Sequence, residues 1–206
     1  MLAGTVLLLA MAFGAMRVQA SSTLVQDTFV RPNQSGWGTA SDGNTWSSGS
    51  ALSVSMDEGL ISYSGSSQFE ILGAASAADS EGLVRFALGS TGETAGIILR
   101  HQSNGNMYLA RYDGAGGFEV MYRSGGWTVV GKVPFSLPAN SYYWLRFRIV
   151  GSNIYLRAWA DGTAEPASWN YTATSSAISA AGQMGLYGWA APGTGDRFDS
   201  FSGLGV

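Results

Sequence analysis

Residues 142–161, YYWLRFRIVGSNIYLRAWAD, form two alternating runs joined across Gly151-Ser152. Period-two alternation on both sides of a short glycine-containing break is the pattern of an antiparallel β-hairpin. With Gly151 and Ser152 as the loop, Trp144 falls opposite Trp159 and Arg148 opposite Tyr155. One face then carries Tyr143, Leu145, Phe147, Ile149, Ile154, Leu156, Ala158 and Ala160. The other carries Trp144, Arg146, Arg148, Tyr155, Arg157 and Trp159. One side is core and the other an aromatic–arginine ladder, which is the pattern of a sheet packed on one side only.

Further short runs of strand character follow one another along the chain, separated by turn signals and without helical crossovers: 25–29, 51–56, 60–63, 68–72, 82–88, 95–101, 107–112, 118–123, 127–133, 143–150, 154–160, 169–174, 184–189 and 197–201. That organisation predicts one all-β domain, a two-sheet antiparallel sandwich, over residues 21–206. The 29 glycines supply turns, and the low charged fraction of 12% suits a chain with much buried sheet surface. Asn104-Gly105 marks a second hairpin, and as a two-residue loop it sets His101 opposite Tyr108, with Arg100 and Arg111 on the other face. Ser124-Gly125-Gly126 marks a third hairpin, whose register the sequence leaves open by one residue.

Residues 1–20 differ from the rest. The apolar run from Leu2 to Met16 is shorter than the roughly 20 residues that cross a bilayer. It ends near Val18-Gln19-Ala20, small residues suited to a signal peptidase. A secretory leader cleaved after Ala20 is the expectation, although no Lys or Arg precedes the run. Cysteine is absent, which removes disulfides, thiol catalysis, zinc–thiolate sites and a lipidated leader. A net charge of −3 gives no footprint for nucleic acid.

Several residues together carry a family resemblance. These are Asp27-Thr28-Phe29 with Trp37 and Trp46 near the start, GIILRH followed by NMYLARY, then YYWLRFRI and IYLRAWADGTAEPASW, and DRFDSF near the end. The region resembles bacterial secreted modules of the concanavalin A-like, laminin G-like jelly-roll superfamily. The resemblance implies that the opening and closing strands are neighbours. It also implies a structural Ca²⁺ with Asp27 and Asp199 among its ligands, hard oxygen donors that would tie distant segments together. The superfamily holds lectins, adhesive modules, glycoside hydrolases and polysaccharide lyases, so fold alone does not choose among them.

The residues favour binding over catalysis. Glycoside hydrolysis normally needs two carboxyl groups about 5–10 Å apart, and no Glu-x-Asp-x-(x)-Glu run is present. Asp196 and Asp199 have odd spacing, which sends them to opposite faces of a strand. A lyase would draw on His101, Tyr108 and Arg100 or Arg111, but the expected register separates those arginines from His101 and Tyr108. Sugars offer flat C–H faces to aromatic rings with polar neighbours. The expected function is therefore a secreted, lectin-like or adhesive module with an extracellular polysaccharide as partner. Its candidate contacts are Arg100, His101, Tyr108, Arg111, Tyr122, Arg123 and Trp127, a set that spans both faces of the hairpin sheet. A lyase or hydrolase with an unrecognised site is the alternative. A structural assembly module using the Trp144/Arg146/Arg157/Trp159 face is a second. Trp37 and Trp46 are expected to plug the end of the sandwich.

Overall fold

The alternating runs resolve into fifteen strands in two antiparallel sheets in the computed structural model, which describes residues 21–49 and 51–206. The expected leader, residues 1–20, lies outside the described residues. Strands are numbered along the chain. The larger sheet runs β13 (Tyr171–Thr174), β12 (Asn153–Ala160), β11 (Tyr143–Val150), β6 (Ser80–Ala87), β15 (Gly195–Gly205), β4 (Glu58–Ser62), β3 (Leu52–Ser55) and β2 (Gln34–Ser35), with β1 (Ser22–Asp27) also on β15. The smaller sheet runs β10 (Gly126–Pro134), β9 (Gly117–Ser124), β8 (Met107–Tyr112), β7 (Thr94–His101), β14 (Gln183–Trp189) and β5 (Gln68–Ile71). The expected two-sheet sandwich is the fold, and its opening and closing strands are neighbours, Asp27 pairing with Phe201.

The β11–β12 hairpin has the register its sequence predicts, with Trp144 opposite Trp159 and Arg148 opposite Tyr155. Gly151 turns it with a φ of 57°, a left-handed conformation that glycine adopts without a Cβ penalty. Leu145, Phe147, Ile149, Ile154 and Leu156 are fully buried between the sheets. Each such side chain contributes about 1.5–3 kcal/mol of burial free energy. The same core cluster takes in Ile97, Leu99, Ala110, Val120 and Leu186 of the smaller sheet. Trp37 and Trp46 close one end of the core, their rings 4.8 Å apart and edge-on, packed against Phe29, Phe198 and Phe201.

On the outside of the larger sheet, Trp144 and Trp159 stack with centroids 6.1 Å apart. Arg85 bridges Asp161 and Asp199, and Arg146 bridges Glu81 and Glu165. Arg148 reaches Glu81 and Arg157 reaches Glu165, so the arginines of the ladder are neutralised within their own sheet.

The smaller sheet is strongly curled. Neighbouring strands lie about 4.8 Å apart, so a flat six-stranded sheet would hold its edges about 24 Å apart. Yet Phe69 on edge strand β5 stacks on Trp127 of the opposite edge strand β10, with ring centroids 6.1 Å apart and planes at 20°. Two glycines in central strands permit the close backbone approach. A Cβ at Gly96 would strike the Ala110 carbonyl, and one at Gly185 the Glu70 carbonyl.

Candidate functional site

Alternation along the smaller sheet sends Ala95, Ile97, Leu99, Tyr108, Ala110, Val120 and Leu186 into the main core. The complementary set, Ile98, Met107, Leu109, Met121 and Tyr187, forms a second apolar cluster on the outer face, with Phe69 and Ile71 packed against it. These five residues are only 0–8% exposed although the described residues form just two sheets. The shielding comes from the sheet itself, whose edges curve over its outer face. That face is concave.

Between the two edges lies a hollow of about 230 Å³ lined by Ser67, Phe69, Leu109, Arg111, Met121, Trp127 and Tyr187. Trp127 is 42% exposed, and one ring face rests on Phe69. The hollow also carries a connected polar chain. Arg111 donates from Nη1 to the Tyr187 hydroxyl at 2.8 Å and from Nε to Glu119 Oε1 at 2.8 Å. Thr94 Oγ1 donates to the same tyrosine oxygen at 3.3 Å, which leaves the tyrosine proton for Ser67 Oγ at 3.0 Å. Lys132 closes the chain, reaching Glu119 Oε2 at 3.0 Å and Asp113 Oδ2 at 3.3 Å. Burial works against the charge on Arg111, but the Tyr187 hydroxyl and Glu119 outweigh it and raise its pKa above the ordinary value. Hydrogen bonds to Glu119 and Asp113 likewise raise that of Lys132. The guanidinium therefore stays charged, with Glu119 as its counter-ion.

A larger depression of about 550 Å³ opens beside Tyr112, Phe135 and Leu137, but no charged side chain lines it. The concave hollow is the better site, because it combines an exposed stacking ring with fixed donors and acceptors.

The sequence-derived candidates divide between two places. Arg111 and Trp127 line the hollow. Arg123 is opposite Trp127 in the ladder and exposed, and His101 stands further along the same face. Arg100, Tyr108 and Tyr122 belong to the interior, which corrects the expectation that they contact a ligand. Tyr108 and Tyr122 share the inward face of Leu99 and Ala110, and Arg100 is turned inward at a bulge. Leu99, not His101, pairs with Tyr108, because the turn is wider than Asn104-Gly105 and closes between Gln102 and Asn106. Arg100 adopts a φ of 53°, leaves the alternation, and donates to the carbonyls of Ala78, Ile178 and Gly151 at 2.6–2.8 Å. Tyr108 is buried, its hydroxyl 2.9 Å from Ser175 Oγ, and Tyr122 packs edge-on against it. Phe69, Tyr187, Ser67, Thr94 and Glu119 were not singled out from the sequence. For Phe69, Tyr187 and Glu119 the only signal is parity within the runs QFEI, QMGLYGW and GFEVMYRS, and Ser67 and Thr94 carry none.

The residues do not fit the calcium ion that the resemblance implies. Asp27 is fully buried, and its carboxylate accepts the Phe29 and Ser41 amides, the Trp46 indole N–H and both arms of the Arg31 guanidinium at 2.7–3.2 Å. A cation there would sit against an arginine. Asp199 faces outward and is paired with Arg85 at 2.9 Å. Among the described residues no group of three or more His, Cys, Asp or Glu side chains is arranged to hold a metal.

No protein-family model matches the chain, and no curated protein does. Solved structures do, at low identity. The carbohydrate-binding module CBM66 from Bacillus subtilis is 18% identical over 76% of this chain and 88% of its own, with a TM-score of 0.57. The CBM2 module of the evolved Dit of Lactobacillus casei BL23 phage J-1 is 13% identical over 90% and 96%, with a TM-score of 0.59. The GH43 protein BlXynB from Bacillus licheniformis is 14% identical with a TM-score of 0.64, and the match covers 88% of this chain but only 39% of that protein. At these identities the likeness is one of fold: the chain is a β-sandwich of the same architecture as these modules.

Proposed function

We propose that this protein is a secreted, non-catalytic module that binds a neutral polysaccharide on the concave face of its smaller sheet. The observation that carries the reading is Trp127, a half-exposed ring braced from below by Phe69 at the mouth of a hollow that also holds Arg111, Tyr187 and Ser67. A sugar ring laid on Trp127 would bury its C–H face while its hydroxyls meet the polar chain at the rim. Two solved structures of the same fold are named as carbohydrate-binding modules, which supports the reading. Neutral sugars are favoured because Arg111 already has Glu119 as its counter-ion. The same pairing argues against a lyase, which would need that arginine for a uronate. The lining of the hollow contains no carboxylate, which argues against a hydrolase.

The test is affinity electrophoresis through xylan, mixed-linkage glucan, fructan and, as an acidic control, alginate. Retardation by at least one neutral gel, lost in Trp127→Ala with an unchanged melting temperature, is the expected result. A weakening of about tenfold or more is the size expected for truncating an aromatic anchor. Free migration through every gel, or retardation of Trp127→Ala equal to that of the parent, overturns the proposal.

A further inference from the structure

The hollow beside Trp127 has a neighbour on the same concave face. This second hollow, of about 380 Å³, is lined in part by Ser47, Ile71, Gly73, His101 and Gln183. Ile71 is the next outward residue after Phe69 on β5, and Gln183 precedes Tyr187 on β14 by two outward positions. Gln183 Nε2 donates to the Gly73 carbonyl at 2.7 Å and fixes the far end. From Phe69 to Gly73 is four residues, or roughly 13 Å of extended chain, longer than one sugar ring.

His101 is delivered there by the backbone. The positive φ of Arg100 inserts one extra residue into β7, so that His101 becomes the ladder partner of Gln183 while Ile98 pairs with Gly185. Bulges re-aim side chains in this way. The arrangement turns Arg100 inward and His101 outward, although strict alternation would do the reverse. The His101 Nδ1 atom is buried and has no hydrogen-bond partner in the protein. The His101 side chain as a whole is partly exposed, and it lines the hollow together with the apolar Ile71. A sugar would set a C–H surface against the isoleucine and its hydroxyls against the exposed edge of the imidazole.

We propose that the His101 hollow is a second sugar subsite, so that the module holds a run of neutral sugar units along β5 and β14 and not a single terminal unit. The inference rests on the reading that the Trp127 hollow takes a sugar. Titration calorimetry with xylose through xylohexaose, and with the matching cello- and fructo-oligosaccharide series, tests it. Affinity is expected to rise about three- to tenfold once the chain is long enough to reach His101, the range for one or two net hydrogen bonds. His101→Ala should remove that increment and leave the shortest bound ligand unaffected. In the unaltered protein the His101 ring resonances should move on adding the hexasaccharide and stay still with the shortest ligand.

Equal affinity at every length, or His101 resonances that ignore the hexasaccharide, overturns the second subsite while leaving the Trp127 site standing. Absence of binding by any member of the three series overturns both. Should His101→Ala fold poorly, the resonance experiment decides alone.

Discussion

Arg100 and His101 are adjacent in sequence and end in opposite compartments. The Arg100 guanidinium is only 1% exposed and takes up three carbonyls, from the segment before β6, the β11–β12 turn and the segment before β14. Arg100→Ala would leave those acceptors without donors and should lower stability by about 3 kcal/mol or more, measured by urea unfolding. Glycan affinity of the folded fraction should be unchanged, which would separate a structural arginine from a ligand-binding one. His101 behaves differently. Burial holds its pKa below the ordinary 6.5, against the opposing effect of Gln183. The unfolded imidazole therefore takes up a proton before the folded one does. The neutral ring's contribution to stability is intact above the unfolded pKa, falls as pH is lowered, and is lost below the folded pKa. His101 is the single histidine of the chain, so its ring protons can be followed without assignment, and their titration midpoint should lie below 6.5. A midpoint at or above that value would contradict the burial.

At the scale of elements, the two aromatic hairpins do different work. In β11–β12 the Trp144/Trp159 stack sits among paired arginines on the larger sheet, and the Trp144 indole N–H is held by Asp161 at 2.9 Å. Trp144→Ala should cost about 1–2 kcal/mol of stability through the lost cross-strand pair and burial. It should leave polysaccharide retardation intact, the reverse of the effect expected for Trp127→Ala. The sequence made the first hairpin legible in full, because alternation and a glycine turn fix register and facing together. It made the β7–β8 hairpin legible only in part. The Asn104-Gly105 signal located the turn, but nothing in the residues marked Arg100 as a left-handed bulge, so the facing of His101 came out reversed. Phe69 and Tyr187 were hidden for another reason. Their strands were readable as strands, yet β14 joins β7, and β5 joins β14, only through long-range pairing, which short-range patterns do not encode. Arg111 and Trp127 were thus legible from residue type and parity, while Ser67, Phe69 and Tyr187 waited on topology.

Over the whole molecule, stability should be indifferent to calcium and sensitive to alkali. Asp27 already ties the opening strand to the Trp46 plug through hydrogen bonds from protein donors, so chelator should leave the melting temperature where it was. A drop on chelation, restored by calcium, would show a site built from other ligands. The alkaline dependence comes from a pair of buried acids that joins the layers. Asp196 lies on β15 of the larger sheet, fully buried, with both oxygens lacking donors. Glu93 immediately precedes β7 of the smaller sheet, also fully buried, and accepts the Ser90 and Ala191 amides and the Thr194 hydroxyl. Burial first, and the neighbouring Glu93 second, push the Asp196 pKa well above its ordinary value. Ile61 and Gly188, packed against the Asp196 side, bring no compensating cation. A group whose folded pKa is raised contributes stability that is whole below the unfolded pKa and disappears as pH rises through the folded one. The melting temperature should therefore decline on the alkaline side as Asp196 is forced to ionise beside Glu93. Asp196→Asn keeps the shape and stays neutral, so its melting temperature should hold where that of the parent falls. Calorimetric scans of both proteins from about pH 5 to 9 would settle the matter. Parallel curves would mean that ionisation of Asp196 beside Glu93 does not set the alkaline limit of this sandwich.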